Sequence, residues 1–86
     1  MDPQAELPEG KMIGEGPTTT QTRFAADLLR KGYRVKGPTI HIVSDRAVVV
    51  QLRFGGPRAR ALEDEGCKVT PSADHCIVEP KAGAYA

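Results

Sequence analysis

The run TIHIVSDRAVVVQLRF, residues 39–54, constrains the fold of this chain more than any other segment. It combines a high density of β-branched residues with period-two alternation of apolar side chains, and it contains an internal turn signal. The segment predicts a β-hairpin whose first strand begins at Thr39. The rest of the chain is then expected to cover one face of that hairpin.

The alternation also predicts the register of the hairpin. Its apolar residues share a face only if the loop has an odd length, because a one-residue slip moves every side chain to the other face. A loop of residues 44–46 meets this condition. It pairs Ile40 with Val50, Ile42 with Val48 and Val43 with Ala47. The expected buried face consists of Ile40, Ile42, Val48, Val50, Leu52 and Phe54, and the opposite face of His41, Val43, Val49, Gln51 and Arg53.

Two helices are predicted on either side of the hairpin. The first spans residues 20–31, with a threonine at 18–20 as N-cap and Gly32 in the closing position. Its apolar stripe consists of Phe24, Ala25, Leu28 and Leu29. The second, over residues 57–65, begins with Pro57 in the first helical position and ends before Gly66.

Residues 67–70 and 75–78 predict two short strands around a turn at 71–74. Pairing Val69 with Cys76 places Cys67, Val69, Cys76 and Val78 on one face. The fold class is therefore a small single α+β domain of order α-β-β-α-β-β, with an antiparallel sheet packed on the first helix. The compact domain is expected over residues 18–79, between an acidic, mobile arm at 1–17 and a loose tail at 80–86.

No catalytic or metal-binding signature is found in the sequence. Cys67, Asp74, His75 and Cys76 have ligand chemistry, but they lack a Cys-x-x-Cys motif, and adjacent strand residues point to opposite faces. The register places Cys67 opposite Val78, so the two cysteines are predicted to be thiols that pack with valines rather than a disulfide. We expect no enzyme, no cofactor, no metal and no small-molecule substrate.

Charge is strongly segregated along the chain. Residues 1–22 carry a net charge of −3, residues 23–60 carry +7, and residues 61–86 carry −3. Arginine outnumbers lysine in the basic segment, which suits bidentate phosphate contacts. The segment predicts binding to nucleic acid or another polyanion, with these candidate residues: Arg23, Arg30, Lys31, Arg34, Lys36, Arg46, Arg53, Arg58 and Arg60.

Three alternatives stay open. The arginines could simply pair with the acidic ends of the chain. Residues 55–58 could form a local anion site at a helix N-terminus. The chain could also be an inhibitor, adaptor or subunit that docks on a protein, or on a second copy, through a strand edge or a sheet face, with His41, Val43, Val49 and Gln51 as candidates.

The expected location is cytoplasmic. The N-terminal residues carry acids where a secretory leader needs positive and apolar stretches, and no apolar run is long enough to cross a membrane. Two cysteines in such a chain favour a reducing compartment. We therefore predict a small regulatory or DNA-binding type of module without a membrane partner.

Overall fold

The computed structural model describes residues 16–40 and 43–85. The elements follow in the order α1 (Thr19–Arg30), β1 (Arg34–Pro38), β2 (Val48–Gln51), α2 (Pro57–Asp64), β3 (Lys68–Ser72) and β4 (His75–Glu79). The strands form one antiparallel sheet in the order β1-β2-β4-β3. The predicted α+β class, element order and packing of the sheet on the first helix are confirmed. Most of the predicted N-terminal arm lies outside the described residues.

Helix α1 forms where its capping residues predict it. The Thr18 hydroxyl accepts a hydrogen bond from the Gln21 amide at 3.1 Å, and the Gln21 side chain accepts one from the Thr18 amide at 3.0 Å. This reciprocal capping box satisfies two N–H groups that the helix itself cannot pair. Gly32 closes the helix with a φ of 91°. Phe24 and Leu28 are buried, whereas Leu29 is exposed, so its inclusion in the apolar stripe was wrong.

Helix α2 also matches its prediction. Pro57 begins the helix, Ala59 and Leu62 are buried, and Gly66 follows it with a φ of 97°. Both helices contribute to one core, so they cover the same face of the sheet. That core contains Phe24, Leu28, Tyr33, Val48, Val50, Ala59, Leu62, Val69, Cys76 and Val78.

The first strand is placed differently from the prediction. β1 ends at Pro38, and residues 39–47 form the connection to β2. Val48 pairs with Pro38 on one side and with Val78 on the other. Because both edges of β2 are occupied, no position remains for the predicted pairs Ile40–Val50, Ile42–Val48 and Val43–Ala47. That register was wrong, although Ile42 itself lies outside the described residues.

The predicted buried face is only partly correct. Val48 and Val50 are fully buried, and Leu52 packs against the core, as expected. Ile40 is 62% exposed and Phe54 is 50% exposed, contrary to prediction. Ile40 lies in the connection rather than in a strand. Phe54 lies beyond the end of β2 in a turn that leads to Gly55, so the alternation of the strand no longer sets its direction.

The second hairpin is longer and tighter than predicted. β3 continues through Pro71 to Ser72, and the turn is made by Ala73 and Asp74, with Ala73 at a φ of 51°. Val69 therefore pairs with Val78 rather than with Cys76, and the predicted position of Cys67 opposite Val78 was also wrong. A shift of two residues keeps the faces unchanged, so Val69, Cys76 and Val78 still share the core. Both cysteines are free thiols.

Candidate nucleic-acid interface

The sheet has one face that no described helix covers. Because β2 and β4 alternate, the neighbours of the buried Val48, Val50, Cys76 and Val78 point away from the helices. We call this surface the outer face. It consists of Arg34, Lys36, Val49, Gln51, Lys68, Thr70, His75, Ile77 and Glu79.

Basic side chains lie at both edges of the outer face. Arg34 and Lys36 are exposed on β1, and Lys68 is exposed on β3. Lys36 lies at the register shift of β1, between Val35 and Gly37. The pKa of Asp74 in the β3–β4 turn is lowered chiefly by a hydrogen bond with His75, and the charge of Lys36 adds a small contribution in the same direction. Val49 and Ile77, at the centre, are half-buried.

A groove of about 500 Å³ opens at the end of the outer face where β2 ends and β3 turns into β4. We call it the end groove. Phe54 and Arg53 form one wall, and the β3–β4 turn forms the other. Its lining consists of Gln51, Leu52, Arg53, Phe54, Pro71, Ala73, Asp74 and His75.

A carboxylate and an imidazole are paired inside the end groove. Nδ1 of His75 lies 3.1 Å from Oδ1 of Asp74, and this hydrogen bond is the main reason that the pKa of Asp74 is lowered. Nε2 of Gln51 donates to the Asp74 carbonyl at 2.9 Å, which ties β2 to the turn. The β3–β4 turn therefore contributes polar groups to the lining of the groove, and the end of β2 contributes the Phe54 ring.

The predicted anion site at residues 55–58 borders a smaller hollow of about 210 Å³. Gly56 caps α2 without a side-chain hydrogen bond. The Arg58 guanidinium, however, is held elsewhere: it stacks 4.4 Å from the centre of the Tyr33 ring and donates to the Gly32 carbonyl at 2.8 Å. Arg58 thus joins α2 to the end of α1.

Several other predicted cations have partners inside the domain. Arg30 pairs with Asp27. Lys31 lies 2.7 Å from the Glu65 carboxylate. Arg46 donates to the Pro80 carbonyl at 2.7 Å and so fastens the C-terminal segment. Arg23 and Arg60 are exposed on α1 and α2.

The nine predicted cations therefore do not converge on one surface. Only Arg34, Lys36 and Arg53 lie at the outer face or the end groove. Sequence reasoning missed Lys68, Asp74, His75 and Phe54 as members of this region. The turn at Ala73 and Asp74 was the one sequence signal from which the position of His75 next to the end of β2 could have been predicted.

The predicted protein-contact residues are also separated. Val49 and Gln51 lie on the outer face, whereas Val43 is 60% exposed in the β1–β2 connection. His41 lies outside the described residues.

The thiol of Cys76 is buried, which raises its pKa, and it contacts the Leu52 carbonyl at 3.4 Å.

Across residues 16–40 and 43–85, no three side chains of His, Cys, Asp or Glu are grouped closely enough to hold a metal ion. None of the described helices is long and apolar enough to cross a membrane. No family model, curated protein or solved structure matches the chain.

Proposed function

We propose that this chain is a non-enzymatic module that binds nucleic acid through the outer face of its sheet and the end groove. The observation that carries the proposal is the position of three unpaired cations. Arg34, Lys36 and Arg53 lie at the outer face or the end groove, are exposed and form no ion pair with any residue of the described ranges, while Arg30 and Lys31 are paired within the domain.

Phosphate binding explains why unpaired cations would be arranged in this way. Neutralising a phosphate releases condensed counterions, and this release supplies most of the affinity of non-specific complexes. Arg34 and Lys36 alternate along an open strand, and Lys68 lies on the opposite edge, so a backbone crossing the face would meet cations at both sides. Thr70 and Gln51 between them offer uncharged hydrogen-bonding groups.

The test compares two double variants that remove the same charge. Fluorescence anisotropy at low salt measures the affinity of labelled single-stranded and duplex DNA for the wild-type chain, for R34A/K36A and for R23A/R60A. The last pair lies on the helices and serves as the control. R34A/K36A should weaken binding at least about tenfold, since each phosphate contact contributes on the order of 1 kcal/mol. The control should change little.

Two results would overturn the proposal. One is the absence of binding by the wild-type chain at low salt. The other is an equal loss in both double variants, which would mean that net charge, and not the outer face, determines the interaction.

A protein partner is the second candidate function, and the β1–β2 connection favours it. Ile40 and Val43 are 62% and 60% exposed there, and hydrogen bonds hold the described residues on either side of positions 41–42. Gln21, only 1% exposed, donates through its side chain to the Ala47 carbonyl at 2.9 Å and to the Thr39 carbonyl at 3.2 Å. Apolar groups whose flanking backbone is already held lose less entropy on binding than groups on a free segment.

Light scattering over a range of concentrations tests the homodimeric form of this second candidate. A dimer formed through the loop should dissociate in I40S/V43S and persist in R34A/K36A. A wild-type mass equal to the monomer at all concentrations would exclude self-association as the role of the loop.

The two free thiols favour a reducing compartment, and we propose the cytoplasm as the site of action.

A further inference from the structure

We infer that the end groove holds one unpaired nucleotide of a single-stranded nucleic acid, with its base stacked on Phe54 and its phosphate on Arg53. This inference rests on the proposed function and specifies its ligand. It assigns to the groove a role different from that of the outer face, where contacts to the backbone need no particular base.

The positions of the aromatic residues point to Phe54. The chain has four aromatic residues, two phenylalanines and two tyrosines. Phe24 and Tyr33 are in the core. The Tyr85 ring lies 6.1 Å from the Phe24 ring, and its hydroxyl donates to Asp27 on α1. Phe54, at 50% exposure, is the most exposed of the four rings and lies in the end groove.

The size and walls of the groove fit one nucleotide. Its volume of about 500 Å³ is within the usual range of small-molecule sites. The Phe54 side provides an apolar surface, and stacking of a base on such a ring contributes about 1–3 kcal/mol. The opposite wall presents His75, whose Nδ1 is engaged by Asp74, so its other ring nitrogen is left to meet the edge of a base.

Arg53 supplies the charge for the phosphate. It precedes Phe54 in the chain, it lines the same groove, and it makes no ion pair inside the described part of the molecule. A planar guanidinium beside an aromatic ring matches a phosphate beside its base. A strand that leaves the groove past Gln51 then passes onto the outer face, where Arg34 on β1 is the register partner of Gln51.

A tryptophan at position 54 provides a direct reporter, because the chain contains no tryptophan. F54W keeps a stacking surface, and a base stacked on the indole quenches its fluorescence. Titration with oligothymidylate DNA and with oligouridylate RNA should give saturable quenching, and the two arms show which backbone is preferred. L29W is the matched control, since Leu29 is exposed on α1 away from the groove. Its fluorescence should not respond.

F54A tests the energy of the same contact. Its affinity for single strands should fall by about 5- to 150-fold, which corresponds to the loss of one stacked base. Its affinity for duplex DNA should stay within about twofold of wild type. Circular dichroism melting checks that F54A is folded, as expected for a half-exposed side chain.

The outcomes separate the two proposals. If wild type binds neither single strands nor duplex, the proposed function fails. If wild type binds through Arg34 and Lys36 but F54A retains full affinity and F54W is not quenched, only the assignment of the end groove fails. If F54A weakens duplex and single strand equally, the groove does not select an unpaired base, and the inference is wrong.

Discussion

At the scale of single residues, Gln21 is the one buried polar side chain among the described residues. It lies on α1 but is almost fully buried, and its amide joins the helix to the β1–β2 connection. Its Nε2 donates to the carbonyls of Thr39, Ser44 and Ala47, at 3.2, 3.3 and 2.9 Å. These hydrogen bonds satisfy carbonyls of a connection that forms no strand, and they attach it to α1.

Replacing Gln21 by leucine should therefore be costly. Q21L leaves the Thr39 carbonyl and the Thr18 amide without partners, and each such group costs about 1–3 kcal/mol. The carbonyls of Ser44 and Ala47 lose one donor but keep the Thr39 hydroxyl. We expect a loss of about 2–4 kcal/mol in the free energy of unfolding, measured by urea titration with an unchanged m-value. T22A, at the exposed neighbouring position, is the control and should change stability by less than about 0.5 kcal/mol. Equal stability of the two variants would refute the anchoring role of Gln21.

The Asp74–His75 pair gives a prediction about pH. The pKa of Asp74 is lowered chiefly by its hydrogen bond with His75 and only slightly by Lys36. Carbon-13 NMR titration should show the Asp74 pKa rising toward its ordinary value in H75A, and rising less in K36A. Because the folded-state pKa is the lower one, the pair stabilises the fold at neutral pH, and this contribution disappears as the pH falls through the folded-state pKa. A larger shift in K36A than in H75A would contradict the assignment.

At the scale of elements, both edges of the sheet carry features that prevent strand addition. β1 contains a register shift and ends in Pro38, and β3 contains Pro71. A proline has no N–H to offer a further strand, and a bulge twists the edge away from a flat partner. These edges make docking through a strand the weakest form of the protein-partner hypothesis. They also leave the outer face as the accessible part of the sheet.

Restoring an N–H group at the β3 edge should promote self-association. P71V adds a donor and a β-branched side chain at an exposed edge position, so its mass by light scattering should increase with concentration more steeply than that of wild type. P57A, which removes a proline from the start of α2, provides the control and should behave as wild type. A monomeric P71V at high concentration would show that Pro71 does not protect the edge.

The elements also show which parts of the fold the sequence could predict. α1 and α2 were predicted to within one residue, because Thr18, Gly32, Pro57 and Gly66 act locally. The first hairpin was not. Its first strand was predicted to begin at Thr39, whereas β1 ends one residue earlier, at Pro38. The residues at 40–43 have the apolar alternation of a strand. The two edges of β2 are, however, paired with β1 and β4, and no local sequence pattern reveals these partners. Phe54 was predicted on the buried face by extending the alternation of the strand to it. It lies instead in the turn after β2, where that alternation no longer sets the direction of its side chain.

At the scale of the whole molecule, the contacts that stabilise the fold are concentrated on the helical side. Arg58 fastens α2 to the end of α1, Lys31 joins Glu65 beyond α2, and Tyr85 packs on Phe24. Arg46 holds the backbone at Pro80. Three cations without such partners, Arg34, Lys36 and Arg53, lie at the outer face and the end groove, whereas Arg23 and Arg60 are exposed on the helices. This division between the two sides places a local positive charge on the outer face, although the formal net charge of the chain is only +1.

The same division predicts how salt will act on binding. For single strands, the logarithm of the affinity falls with the logarithm of salt concentration by about 0.7 for each phosphate neutralised. R34A/K36A should lower this slope by about 0.7 for each cation that contacts a phosphate. F54A should leave the slope unchanged and shift the whole line to weaker affinity, since stacking releases no counterions. R23A/R60A, the control on the helical side, should change neither the slope nor the affinity. Anisotropy titrations at several salt concentrations measure all four lines. A change of slope in F54A, or an unchanged slope in R34A/K36A, would show that phosphate binding and base stacking are not divided between the outer face and the end groove.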